Sequence, residues 1–224
     1  MKIKKESIVE LSHKMLPGKE NFNLQTRTYD VVELVPEATH RPDVWYVVSD
    51  IAFSSHMGTH IEFPFHHLED GANAGDYPIE NMIGEAVVLE FTGKKAGDFI
   101  SLDEVKKYKE FIREGDIIFI RTDLDKKFRD KDWEPFVHIA EDALLWLLEF
   151  KPKIIGSDGS GIEVPDTEDQ PNHFNCFRRN VAIVESLTNL AAISGTRLTV
   201  FILPLPIEGI DACPVRVIAI KEEA

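Results

Sequence analysis

Runs of β-branched and aromatic residues recur along the chain, separated by polar stretches and turn residues. Val44–Phe53 (VWYVVSDIAF), Glu85–Phe91 (EAVVLEF) and Asp116–Arg121 (DIIFIR) have strand composition, the last as a buried strand. Shorter runs predict further strands at Ile154–Ile155, Val181–Val184, Leu198–Leu203 and Val215–Ile220. Ser101-Leu102-Asp103-Glu104 has the spacing of a capping box and predicts a helix ending at Gly115. Ile139–Phe150 (IAEDALLWLLEF) reads as a second helix, and Glu69-Asp70-Gly71 as a turn. The first forty residues, broken by Pro17-Gly18 and Pro36, read as short strands and loops. Strands outnumber helices, and the helices fall between them. That order predicts an α/β or α+β fold with a mostly β core and outer helices.

A length of 224 residues, 43% hydrophobic and 29% charged, predicts one globular domain over residues 1–224. Charge changes the picture more. With 25 Lys and Arg against 39 Asp and Glu, the net charge is −14, which disfavours nucleic acid and anionic membranes as partners. Two cysteines without CxxC spacing predict no disulfide scaffold and suit a reducing compartment. No apolar signal segment follows the basic N-terminus, and no apolar run reaches membrane-spanning length, so a cytoplasmic protein is expected.

The distinctive chemistry lies in His56-Met57-Gly58-Thr59-His60-Ile61-Glu62-Phe63-Pro64-Phe65-His66. Three imidazoles and a carboxylate within eleven residues form a donor set suited to zinc, manganese or iron. If the chain runs extended from His60, residues 60, 62, 64 and 66 share one face. Pro64 argues against a helix here, and Gly58 permits a turn that returns His56 to the same point. The opposite face carries Ile61, Phe63, Phe65 and His67, a mostly apolar anchor. Strand parity thus points His67 away from the ligands, in a structural role. A lone histidine is more often a surface or core residue than a ligand, but this cluster is not a lone histidine. His173, in a polar turn-prone stretch, and Glu185, ending an apolar strand, are the leading further candidates, ahead of His13, His40 and His138. Trp45, Tyr46, Phe53, Phe63 and Phe65 could line an aromatic pocket or pack a core.

The segment His56-x-Gly58-Thr59-His60-x-Glu62-x-Pro64-x-His66 resembles the HxGTHxDxPxH signature of the metal-dependent cyclase family, which includes bacterial kynurenine formamidases and isatin hydrolases. The resemblance extends to Leu11-Ser12-His13, Gly156-Ser157-Asp158, Glu185-Ser186-Leu187-Thr188-Asn189-Leu190, Leu203-Pro204-Leu205 and Asp211-Ala212-Cys213-Pro214-Val215-Arg216. It implies His56, His60 and Glu62 as metal ligands, with His173 and Glu185 completing a two-metal site. It implies His66 as the catalytic histidine, a swivelling β/β/α fold and a homodimer. Two positions depart from the pattern. Glu62 stands where the family usually has Asp, which leaves a bridge between two metals open, and His67 stands where Phe is usual.

The reaction so implied is hydrolysis of an amide-type C–N bond, in a formamide or a cyclic amide, with zinc or manganese as one or two ions. Metal-activated water would attack the carbonyl while His66 moves protons and Thr59 braces the turn. The substrate would be a small molecule. The competing reading is a metal-binding protein without catalysis, which has no need of His66. Covalent routes fit poorly: Gly159-Ser160-Gly161 has Asp158 in place of the first glycine of G-x-S-x-G, and Cys176 and Cys213 read as structural.

Overall fold

The computed structural model describes residues 3–131, 133 and 136–221. Its strands are β1 (Ile8–Glu10), β2 (Leu24–Asp30), β3 (Val47–Phe53), β4 (His60–Glu62), β5 (Ile83–Glu90), β6 (Phe99–Ile100), β7 (Ile117–Arg121), β8 (His138–Ile139), β9 (Ile154–Ser157), β10 (Ala182–Glu185), β11 (Leu198–Leu203), β12 (Ala212–Pro214) and β13 (Arg216–Ile220). The α-helices are α1 (Val31–Leu34), α2 (Leu102–Val105), α3 (Glu141–Leu148) and α4 (Pro171–Phe177). Nine strands form one sheet in the order β1-β13-β11-β5-β7-β9-β10-β4-β12. The fold is α/β with a mostly β core, as the order of runs predicts.

The centre of that sheet, β5-β7-β9-β10, is parallel, and antiparallel pairs flank it on both sides. Parallel neighbours need crossovers, and α2, α3 and α4 lie in the three that join these strands. Each central strand is buried on both faces, which is why DIIFIR reads as a continuous apolar run. Val87, Leu89, Ile118, Ile120, Ile155 and Ile183 pack in one cluster with Val105, Leu144, Leu147 and Phe177 of the helices. Ala86, Val88, Phe119 and Val184 turn to the other face. There the sheet curls, so Val200, Ile202 and Val217 from one end share a cluster with Ile61 and Phe63 from the other.

Most predicted strands form within a few residues of their expected limits. The helix expected from Ser101 to Gly115 does not. Its capping box forms, Glu104 accepting from the Ser101 backbone, but the α-helix ends at Val105 and tightens into a 3-10 turn. The Tyr108 hydroxyl is held by both backbone groups of Glu90, and that anchor draws the second turn onto the end of β5. The run at Val44–Phe53 yields β3, yet not in the core: β3 pairs only with β2 in an outlying hairpin, and Trp45 is 84% exposed. No helix among the described residues is long and apolar enough to cross a membrane.

The extended reading of 60–66 holds only to Phe63. Pro64 opens a 3-10 turn over Pro64–His66 rather than prolonging the strand. Proline lacks only a hydrogen bond that a first turn does not make, so it starts a helix as readily as it breaks one. Parity therefore fails beyond the turn, and His67 does not point away: its ring lies 4.6 Å from His66 and 5.5 Å from His173.

Gly71 makes that turn possible. A Cβ there would stand 2.6 Å from the Pro64 carbonyl carbon and 2.8 Å from the Phe65 nitrogen, both backbone atoms that cannot yield. Gly71→Ala is expected to lower stability by about 1–3 kcal/mol through overpacking, measured as a lower urea midpoint at unchanged m-value.

Candidate metal centre

Short β4 lies between β10 and β12, with His60 opposite Glu185 and Pro214, and Glu62 opposite Ile183 and Ala212. Ile61 and Phe63 point into the core at zero exposure and anchor the strand. The Gly58 turn, at φ +61°, brings His56 back beside β4. The Thr59 hydroxyl donates to the Ser186 carbonyl at 2.6 Å and accepts from the His13 amide, so the turn is tied to the end of β10. α4, the helix preceding β10, carries His173.

These elements bring His56, His60, Glu62, His173 and Glu185 together. Glu62 sits between two groups of donors: His56 and His60 on one side, His173 and Glu185 on the other. Its Oε1 lies 2.8 Å from His56 Nδ1 and 3.4 Å from His60 Nε2, and its Oε2 lies 3.4 Å from His173 Nε2. Glu185 closes the second side, 3.6 Å from His173 Nε2 and 3.7 Å from His60 Nε2. The outward nitrogen of each histidine has its own acceptor. His60 Nδ1 donates to the Gly58 carbonyl at 2.9 Å, His173 Nδ1 to Glu163 at 2.8 Å, and His56 Nε2 to Asp211 at 2.7 Å. Such outer acceptors fix ring orientation and leave the inward nitrogen for a ligand.

The electrostatics show what the cluster lacks. Burial alone would raise the Glu62 carboxyl pKa, but the surrounding histidines hold it well below the usual carboxylate range. Burial would lower His56, His60 and His173, yet their carboxylate partners raise all three, His56 to about 9. Burial and the charge of Glu62 push Glu185 up. The Glu62 carboxylate is therefore stabilised by positive charge beside it. Buried His60 Nε2 and Glu62 Oε2 have no hydrogen-bond partner. Two adjoining sets of imidazole and carboxylate donors with orphaned inward atoms fit divalent first-row cations.

His66 is placed differently. Its Nδ1 donates to Asp211 at 3.0 Å, and burial, ahead of the opposing pull of Glu62, lowers its pKa and keeps the ring neutral. His66 lines a cavity of about 850 Å³ whose floor is the histidine and glutamate cluster. Phe22, Phe128, Trp133 and Phe136 form its aromatic lining, in place of the five aromatics that the sequence suggested. Of those, Trp45 and Tyr46 are exposed and Phe63 is core. His40 pairs with Asp30 at the hairpin, and His138 donates to the Glu163 carbonyl, so neither joins the site. Asp211 and Glu163 are functional candidates that local spacing could not reveal, although the family-like DACPVR segment does contain Asp211.

The profile of the family described as "Putative cyclase" matches residues 9–164, more than half of the chain. The chain belongs to this cyclase family. It is 26% identical to the kynurenine formamidase of Bacillus cereus over 176 residues, which cover 76% of this chain and 78% of that one. The Paracidovorax citrulli kynurenine formamidase is 26% identical over 183 residues, 81% of this chain and 83% of the relative. A solved structure described as a potential metal-dependent hydrolase with cyclase activity superposes with a TM-score of 0.75 at 25% identity, covering 97% of this chain and 98% of that one. An isatin hydrolase bound to the product analogue thioisatinate shares the fold, with a TM-score of 0.80 at 20% identity over 96% of this chain and 92% of that one.

His13 lies just outside the cluster, stacked on Phe128 at 3.8 Å. Burial lowers its pKa from 6.5 to about 4. Between these values the unfolded state binds the extra proton, so this contribution is intact above pH 6.5 and is lost as pH falls toward about 4. The expected outcome is a shallower loss of stability in that window for His13→Gln than for the wild type, measured by urea unfolding at stepped pH.

Proposed function

We propose that this cyclase-family member is a metal-dependent hydrolase of non-peptide C–N bonds, acting on a small formamide or cyclic amide. The observation that carries the reading is Glu62: one buried carboxylate presents an oxygen to each of two donor groups, beside a cavity containing a neutral histidine. His56, His60 and Glu62 would hold one ion, and Glu62, His173 and Glu185 a second, with Glu62 as the bridge. Zinc and manganese both suit this imidazole and carboxylate set. When bound, such an ion supplies Lewis acidity that polarises the substrate carbonyl and acidifies water.

The protein's own groups do the rest. The aromatic lining of Phe22, Phe128, Trp133 and Phe136 holds the substrate and excludes bulk water. His66 Nε2, free because Nδ1 is committed to Asp211, takes a proton from the attacking water. A C–O bond forms, the C–N bond breaks, and His66 returns the proton to the leaving nitrogen. The products are a carboxylate, whose remaining proton is released to solvent, and an amine, joined in one molecule when the substrate is cyclic. Thr59 keeps the ligand-bearing turn in place.

The chain is proposed to work as a homodimer in the cytoplasm. Its hairpin region exposes Trp45 and Ile51, at 84% and 62%, an apolar surface that a second copy would cover. Both cysteines are unpaired and buried, which suits a reducing compartment. Light scattering on the wild type is expected to give twice the monomer mass, and Trp45→Asp to shift the population toward monomer.

The deciding experiment assays N-formylkynurenine, simpler formamides, isatin and other cyclic amides with zinc and with manganese. Turnover of at least one is expected. His66→Ala should retain its metal while kcat falls by roughly 10²–10⁴-fold. Metal retention without turnover of any compound by the wild type would instead identify a binding protein.

A further inference from the structure

Asp211 is a side chain that hydrogen-bonds both a member of the ligand cluster and His66. It sits immediately before β12, and its carbonyl accepts from the Phe63 amide at 2.9 Å, so its backbone is pinned to the end of the ligand strand. One oxygen, Oδ2, accepts from His56 Nε2 at 2.7 Å and from His66 Nδ1 at 3.0 Å. A side-chain hydrogen bond from Ser55 adds to the hold on the carboxylate. The two rings stand 4.5 Å apart, tilted by 48°.

A neutral imidazole carries one N–H, and the acceptor facing it decides which nitrogen keeps the proton. At His56 both nitrogens face carboxylates, Nδ1 that of Glu62 at 2.8 Å and Nε2 that of Asp211 at 2.7 Å; with a cation taking up Glu62, the Nε2–H bond to Asp211 is the one that remains and leaves the Nδ1 lone pair toward the cation. At His66 the acceptor faces Nδ1, so the lone pair is left on Nε2, which bonds no described residue. With a cation bound, the same oxygen therefore imposes opposite tautomers on neighbouring rings. Gly58 and Glu163 do this for His60 and His173, but neither holds His66.

We propose that Asp211 is a positioning residue that sets both tautomers at once, committing His56 Nδ1 to metal and His66 Nε2 to substrate. The inference rests on the hydrolase reading for its catalytic half, whereas its tautomer and metal-affinity halves stand on the hydrogen bonds alone. Coupling follows: moving this carboxylate disturbs a ligand and the proton carrier together, although Asp211 is not part of the cavity lining.

The test compares wild type, Asp211→Asn and Asp211→Ala, each loaded with zinc and checked for folding by circular dichroism. Long-range ¹H–¹⁵N spectra of histidine-labelled protein report which nitrogen carries the proton. Chelator competition reports zinc affinity. Asp211→Ala is expected to move His66 from Nδ1–H to predominantly Nε2–H and to weaken one zinc site by roughly 10–100-fold. On any substrate the wild type turns over, kcat should fall with KM changed less than about 3-fold, the signature of a lost proton carrier rather than lost binding. Asp211→Asn, which keeps shape and one acceptor oxygen, should fall between the two. An unchanged His66 tautomer or an unchanged zinc affinity in folded Asp211→Ala overturns the proposal. If that variant does not fold, Asp211→Asn decides by the same readouts, and wild-type zinc affinity and tautomer there overturn it. A wild type that hydrolyses nothing defeats the hydrolase reading alone, because the tautomer and zinc measurements still decide the role of Asp211.

Discussion

A carboxylate buried at 2% exposure is costly unless positive charge surrounds it, and Glu62 has three histidines doing so. Much of the surrounding structure follows from that requirement. The imidazoles are buried or half-buried with it, so they need acceptors on their outward nitrogens. Those acceptors are Gly58, Glu163 and Asp211. The site is thus a set of concentric shells: a central carboxylate, a ring of imidazoles with Glu185, and an outer ring of acceptors. Removing an inner member leaves the others buried and unpaired, so the shells stand or fall together.

The sheet is built to hold these shells rigidly. β4 contributes only three residues, but it is paired on both sides and pinned by Ile61 and Phe63 in the core. His60 and Glu62 are set by its register. β10 delivers Glu185 as a direct cross-strand neighbour of His60, at the end of a strand whose other residues are apolar and buried. Helical and turn segments supply the rest: His173 on α4 and His66 on the Pro64 turn. His66 remains neutral beside a strongly charged cluster because burial outweighs the pull of Glu62, and that neutrality suits a proton acceptor.

Local errors in reading the sequence trace to long-range contacts. The apolar stretch around Trp45 has core composition yet lies on an outlying hairpin, because composition does not tell a strand's partner. The helix opened by Ser101 is cut short by the Tyr108 anchor to Glu90, eighteen residues away in sequence. Parity along 60–66 stops at Pro64, where a close approach by Gly71 accommodates a tight turn. His66 still reaches the site, but by the turn rather than by alternation, and the same turn brings His67 against His66 and His173.

The amino-acid sequence by itself determined the central strands, the α/β order and the residue types of the His60–Glu62 strand. These depend on neighbours within one strand or turn, where spacing dictates which side chains share a face. Tertiary structure decided how Glu62 divides its oxygens, which aromatics line the cavity, and which carboxylates back the histidines. Asp211 meets His56 and His66 across separations of 155 and 145 residues. Convergence over that distance is set by sheet order and closure of the intervening chain, which no local period encodes.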